Sequence, residues 1–249
     1  MWVLGFIINL FCICSLQGAL DTKTKTELAP YLLPEDHPAK PVLDALFSES
    51  RALFNLKTLV DAGFIKSKPR DFSHLIVTKH PALPGYVFKI YLDSQRFHSM
   101  SPEYHFWKLR IKGANLVRQE IAIRGLSAQM KVPYKWIYIL PDDPEPSSDY
   151  YPKYSLIIEE DMDLVSNDDN YDHWKSDLIT SEFLTTVYHF LKDLGLQDCA
   201  KPDNIPFSHD GRIAFIDTQS YGFKKVRFKK LTKYLSDENK PVWKSLISD

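Results

Sequence analysis

The chain has 249 residues, 44% of them hydrophobic and 13% aromatic, enough for one large or two small domains with a real core. Its 31 basic and 32 acidic side chains leave a formal net charge of -1, which removes any global electrostatic reason to expect nucleic acid or an acidic membrane as partner. The three cysteines include Cys12 and Cys14 near the start, so Cys199 is left alone, and no CxxC or Cys/His spacing points to zinc.

The first nineteen residues, MWVLGFIINLFCICSLQGA, are almost wholly apolar and end in small or polar side chains before Asp21. That pattern is the apolar and cleavage region of a secretory signal peptide, although no Lys or Arg precedes it. An uncleaved membrane anchor and a buried N-terminal helix are the alternatives, and a full span needs about 20 apolar residues. The mature chain is therefore expected outside the cytoplasm, touching a membrane only through an uncleaved N-terminus.

Residues 20–40 are rich in proline and charge and read as an extended leader. From Pro41 to Ala62 apolar residues recur at helical spacing, giving one or two amphipathic helices that end at Gly63. Two β-prone runs follow, 74–78 and 86–92, separated by the turn HPALPG, and predict an antiparallel hairpin. Residues 101–130 read as helical, opening at Ser101-Pro102-Glu103 with a break at Gly113.

Residues 135–140 and 154–159 read as two further strands around the hydrophilic loop PDDPEPSSDYYP. The acidic run 159–172 reads as a solvated linker. Residues 180–194 carry one apolar helical face and stop before Gly195. A last hairpin is expected at 205–217 around the turn His209-Asp210-Gly211. The tail after Gly222 is basic, with FKKVRFKKLTKY at 223–234 best read as a lysine-protected edge, and it closes in a short helix. The fold class is α+β, built as a single domain over 41–249.

Candidate chemistry gathers at two places. Lys89 stands on a strand in Val87-Phe88-Lys89-Ile90, and the segment GLQDCAKPDNIPFSHDGRIAFIDT (195–218) holds Asp198, Asn204 and Asp217 around the late hairpin. The eight histidines are scattered without HxH, HExxH or HxxxH pairing, which gives no metal or nucleophile site. Cys199 has no evident histidine partner, and no G-x-S-x-G elbow or P-loop is present.

These residues resemble the working parts of the protein-kinase-like superfamily. Val87-Phe88-Lys89-Ile90 is similar to the V-A-I-K strand, Lys201-Pro202-Asp203-Asn204-Ile205 to the K-P-E-N-I of the catalytic loop, and Phe215-Ile216-Asp217 to the strand that ends in a metal-binding aspartate. The resemblance implies a small antiparallel sheet lobe with helical additions (41–158) and a reduced C-terminal lobe (159–249).

It further implies ATP and Mg2+ as cofactors. Lys89 would hold the α and β phosphates and Glu120 in LVRQEIAIRG would orient it, with Glu103 the competing glutamate. Asn204 and Asp217 would bind the metal, and Asp198 would position the acceptor hydroxyl. The substrate would be a protein or a small molecule, taken by a monomer.

Several departures point instead to a pseudokinase that engages a partner protein and transfers nothing. Leu196-Gln197-Asp198 replaces H-R-D, and Asp198 lies six residues before Asn204, one more than the family spacing. Asp217-Thr218-Gln219 replaces D-F-G, no glycine-rich loop precedes Lys89, and about thirty residues follow Asp217. An exported phosphotransferase would also need a nucleotide-containing compartment such as a host cytosol. The start LPEDHPAKP joined to FIDT is similar to secreted proteins from chlamydia-like bacteria, a likeness that implies no activity.

Overall fold

The computed structural model describes residues 20–48, 51–65, 74–95, 101–141 and 151–248. The expected signal peptide and most of the loop 141–152 lie outside them. Among the described residues no helix is long and apolar enough to cross a membrane.

The leader is not extended as expected. It forms a first helix, α1 (Thr22–Leu28), followed by a 3-10 turn at Ala29–Tyr31. The reason is local: the Asp21 carboxylate accepts from the backbone of Thr24 and caps the helix start, while Leu28 is buried as an anchor. The chain then lays Leu32 beside Ile137 in an isolated parallel bridge, with the Leu33 amide donating to the Ile137 carbonyl at 2.9 Å. Helices α2 (Lys40–Ser48) and α3 (Leu56–Asp61) follow, the second started by a reciprocal Asn55–Thr58 capping box.

Strands β1 (Ile76–Thr78) and β2 (Tyr86–Ile90) form the predicted antiparallel hairpin. The long helix α4 (Glu103–Ile123) comes next, then the two-residue strand β3 (Met130–Lys131), and strands β4 (Lys135–Ile139) and β5 (Ser155–Glu160). The antiparallel sheet runs in the order β1-β2-β5-β4. Successive strand side chains point to opposite faces. On one face Phe88, Ile90, Tyr138, Leu156 and Ile158 pack with Leu43 and Phe47 of α2 and Leu59 of α3. On the other, Ile137 and Ile157 pack with Trp107 and Ile111 of α4.

Helix α4 does not break at Gly113. It runs through, because this glycine serves a close approach rather than a turn: a Cβ built there would stand 1.8 Å from the Thr218 carbonyl oxygen. Beyond Gly113, Ala114, Val117 and Ile121 enter a third core cluster built around Trp174, Phe190, Phe215 and Trp243. One helix thus serves two of the three clusters.

The acidic run does not remain a linker. Ser166 caps helix α5 (Asn167–Lys175), with Asp168 and Asp169 in the first turn, where the helix dipole favours negative charge. Helix α6 (Ser181–Asp193) falls where its apolar face predicts it. The late hairpin is reduced to a turn and an isolated antiparallel bridge, Phe207 to Ile213, and strand β6 (Ile213–Ala214) pairs in parallel with β3 instead. Helices α7 (Lys229–Thr232) and α8 (Asn239–Leu246) close the chain.

Candidate functional site

Sheet register puts a charged cluster on the face turned toward α4. Lys135 of β4 lies directly opposite Glu159 of β5, and Lys89 of β2 is opposite Ile157, two residues away along the same strand. The three side chains share that face by the two-residue period. The Lys89 ammonium meets both Glu159 oxygens, at 2.8 and 3.1 Å, and donates to the Ile216 carbonyl at 2.8 Å. Lys135 Nζ is 2.9 Å from Glu159 Oε2 and donates to the same carbonyl at 2.8 Å.

All three residues are at most 5% exposed, so two cations share one carboxylate away from water. Burial drives the Lys89 ammonium down to about 7, opposed by Glu159 and assisted by repulsion from Lys135 and Arg110. Burial pushes the Glu159 carboxyl up, but the two lysines outweigh it and hold it below its ordinary value.

Beside this cluster opens a cleft of about 260 Å³. One part of its lining is apolar, from Leu75, Val77, Val87, Met162, Leu164 and Ile216; the polar part holds Lys89, Arg110, Glu159, Asn204 and Asp217. A shallower hollow of about 610 Å³ is lined by Lys201, Lys229, Lys230, Lys233 and Lys240 with Thr232 and Tyr234. The smaller cleft is the better candidate, since an apolar pocket with a few convergent polar groups is the usual form of a ligand site.

Asn204 and Asp217 reach the cleft from the late segment. The Asn204 amide nitrogen donates to the Asp198 carbonyl at 2.9 Å, which fixes the ring-like loop from 198 to 204 and turns the amide oxygen away from that bond. Asp217 Oδ1 lies 2.7 Å from an Arg110 terminal nitrogen. The Asp217 carbonyl accepts from the Cys199 thiol at 3.1 Å, and burial holds that thiol far above its ordinary range.

Lys89, Asn204 and Asp217 therefore meet in one cleft. Glu120 does not join them: its carboxylate is 2.5 Å from Arg124 Nε, at the far end of α4 from Arg110. Glu103 is also elsewhere, accepting from the backbone of Tyr154 and Ser155 and from the Ser155 hydroxyl. Asp198 does not line the cleft; its carboxylate is 2.8 Å from Arg227 and 3.1 Å from Lys230 of the basic tail.

Three site residues escaped the sequence reading. Glu159 stands where the strand 154–159 meets the acidic run 159–172, and strand alternation places it on the same face as Ile157. Lys135 stands at the head of its strand with no motif to mark it. Arg110 stands in the buried stripe of α4 with Glu103, Trp107, Ile111 and Ala114, and a cation inside such a stripe was its available signal. No family model, curated protein or solved structure matches the chain.

Proposed function

We propose that the cleft binds a nucleoside triphosphate and that the chain is a reduced member of the protein-kinase-like superfamily, exported and acting as a monomer. The single observation that carries this reading is the convergence of Lys89, from the early hairpin, with Asn204 and Asp217, from the late segment, on one cleft. The apolar lining suits the flat base, and the polar end suits the phosphates. The strand order and the crossing of α4 behind Lys89 agree with a kinase-like sheet lobe.

Mg2+ would be held by Asn204 and Asp217. The Asn204 nitrogen is committed to the Asp198 carbonyl, so an oxygen is what the amide has to offer a cation. Among the described residues no group of three or more His, Cys, Asp or Glu side chains could hold a metal. Two protein oxygens suffice when phosphates and water complete the shell, so the ion would arrive with the nucleotide. When bound, it supplies charge neutralisation for phosphoryl transfer. Asp198 would orient the acceptor hydroxyl of a protein or small molecule.

A second reading, a pseudokinase that binds a partner protein without transfer, is favoured by a specific observation. Each charged group of the expected machinery already has a counter-ion: Lys89 has Glu159, Asp217 has Arg110, and Asp198 has Arg227 and Lys230. Thermal unfolding with millimolar ATP and Mg2+ tests nucleotide binding, since a ligand of the native state raises the midpoint. A shift that disappears in Asp217→Ala supports the cleft, and no shift in the wild type discards it. Release of ADP in the presence of candidate acceptors then separates transfer from binding alone.

A further inference from the structure

Lys89 is expected to hold phosphate in a kinase-like site, but its donors are spent. An ammonium has three N–H groups, and here they face two Glu159 oxygens and the Ile216 carbonyl. A ligand oxygen could gain Lys89 only by displacing one of these buried partners.

Arg110 is in the opposite condition. It is 4% exposed and lines the same cleft. One terminal nitrogen reaches Asp217, yet its Nε is buried with no acceptor among the described residues. A buried N–H without an acceptor is uncommon in native structures and calls for a missing partner. The backbone that carries this side chain is also well anchored. The Thr218 hydroxyl donates to the Arg110 carbonyl at 2.7 Å, and the tight seat of Gly113 under Thr218 holds this turn of α4 against the Asp217 segment. A planar guanidinium held in place suits the paired oxygens of a phosphate better than a point-like ammonium does.

We infer that the anion-binding group of the cleft is the Arg110 guanidinium rather than the Lys89 ammonium, and that its ligand is an oxyanion of the phosphate class. The identification of that oxyanion as part of a nucleotide rests on the function proposed above; the role of Arg110 does not. Asp217 and the ligand share one guanidinium, which ties the occupancy of the cleft to the position of α4.

The test uses the full chain and two probes, inorganic tripolyphosphate and ATP, titrated without Mg2+ against wild type, Lys89→Met, Arg110→Gln and Arg110→Lys. Arg110→Gln should weaken tripolyphosphate at least about tenfold more than Lys89→Met does, with Arg110→Lys in between. An equal or larger loss in Lys89→Met overturns the inference, and so does absence of tripolyphosphate binding by the wild type. Should Arg110→Gln fail to fold, Asp217→Asn decides. It removes the negative charge that competes with an anion for Arg110, so it should bind tripolyphosphate at least as tightly as wild type, and weaker binding overturns the inference. Tripolyphosphate binding that depends on Arg110 without any ATP binding would uphold this inference while removing the nucleotide reading.

Discussion

Gly113 of α4 sits directly against the backbone of Thr218, so closely that a methyl group at position 113 would fall 1.8 Å from the Thr218 carbonyl oxygen and 2.8 Å from its carbonyl carbon. The contact fixes the distance between the helix that carries Arg110 and the segment that carries Asp217. Gly113→Ala raises helix propensity, yet here it must push the two apart. We expect a net destabilisation of about 3 kcal/mol from overpacking, read from urea unfolding. A neutral or stabilised variant would contradict the tight contact.

Glu159 is the carboxylate that two buried lysines share. Glu159→Gln leaves both cations without a charge partner and is expected to cost roughly 3–5 kcal/mol. Lys89→Met is expected to cost distinctly less, because Lys135 remains to balance Glu159 one to one. Denaturant midpoints of the two variants decide the order, and the reverse order would refute the shared-carboxylate arrangement.

The depressed Lys89 ammonium gives a pH dependence with a definite sign. Its ordinary value is 10.5 and its folded value is about 7. Between these, the unfolded chain binds more protons than the folded one, so this contribution to stability grows as pH rises through the window. It is lost as pH falls toward 7, and below that both states carry the proton. The unfolding free energy of wild type minus that of Lys89→Met should therefore climb between about pH 7 and 9.5. A flat or falling difference would show that Lys89 keeps its proton in the fold.

Asp198 is a third exposed as a side chain, and its ion pairs with Arg227 and Lys230 are at the surface. Such pairs contribute little, so Asp198→Asn should leave stability within about 1 kcal/mol of wild type. Under the transferase reading the same change abolishes phosphate transfer while ATP binding persists. Transfer that survives in Asp198→Asn removes the acceptor-orienting role from this residue.

Much of the architecture was legible because it is written in local periodicity. The early hairpin, the strands at 135–139 and 155–160 and helix α6 follow from alternation or apolar stripes that need no knowledge of distant residues. The misreadings share one physical origin, a partner far away in sequence. Gly113 looks like a helix break until Thr218 is beside it. Glu159 looks solvated within the run EEDMD until the register of β4 sets Lys135 opposite. The leader reads as extended for the contrary reason, since a single capping aspartate is enough to start a short helix among polar residues. Within the site, Lys89, Asn204 and Asp217 could be singled out by motif, but the carboxylate and guanidinium that engage them could not.

The sheet ends on one side at β4, a border strand whose outer backbone groups would otherwise lie open. Leu32 and Leu33 lean on that border at Ile137, so the N-terminal arm covers part of an otherwise open strand edge. Any shortened version for crystallisation or delivery should therefore retain the arm from Leu20 onward; trimming to the start of α2 would bare a ready template on which a second molecule could add.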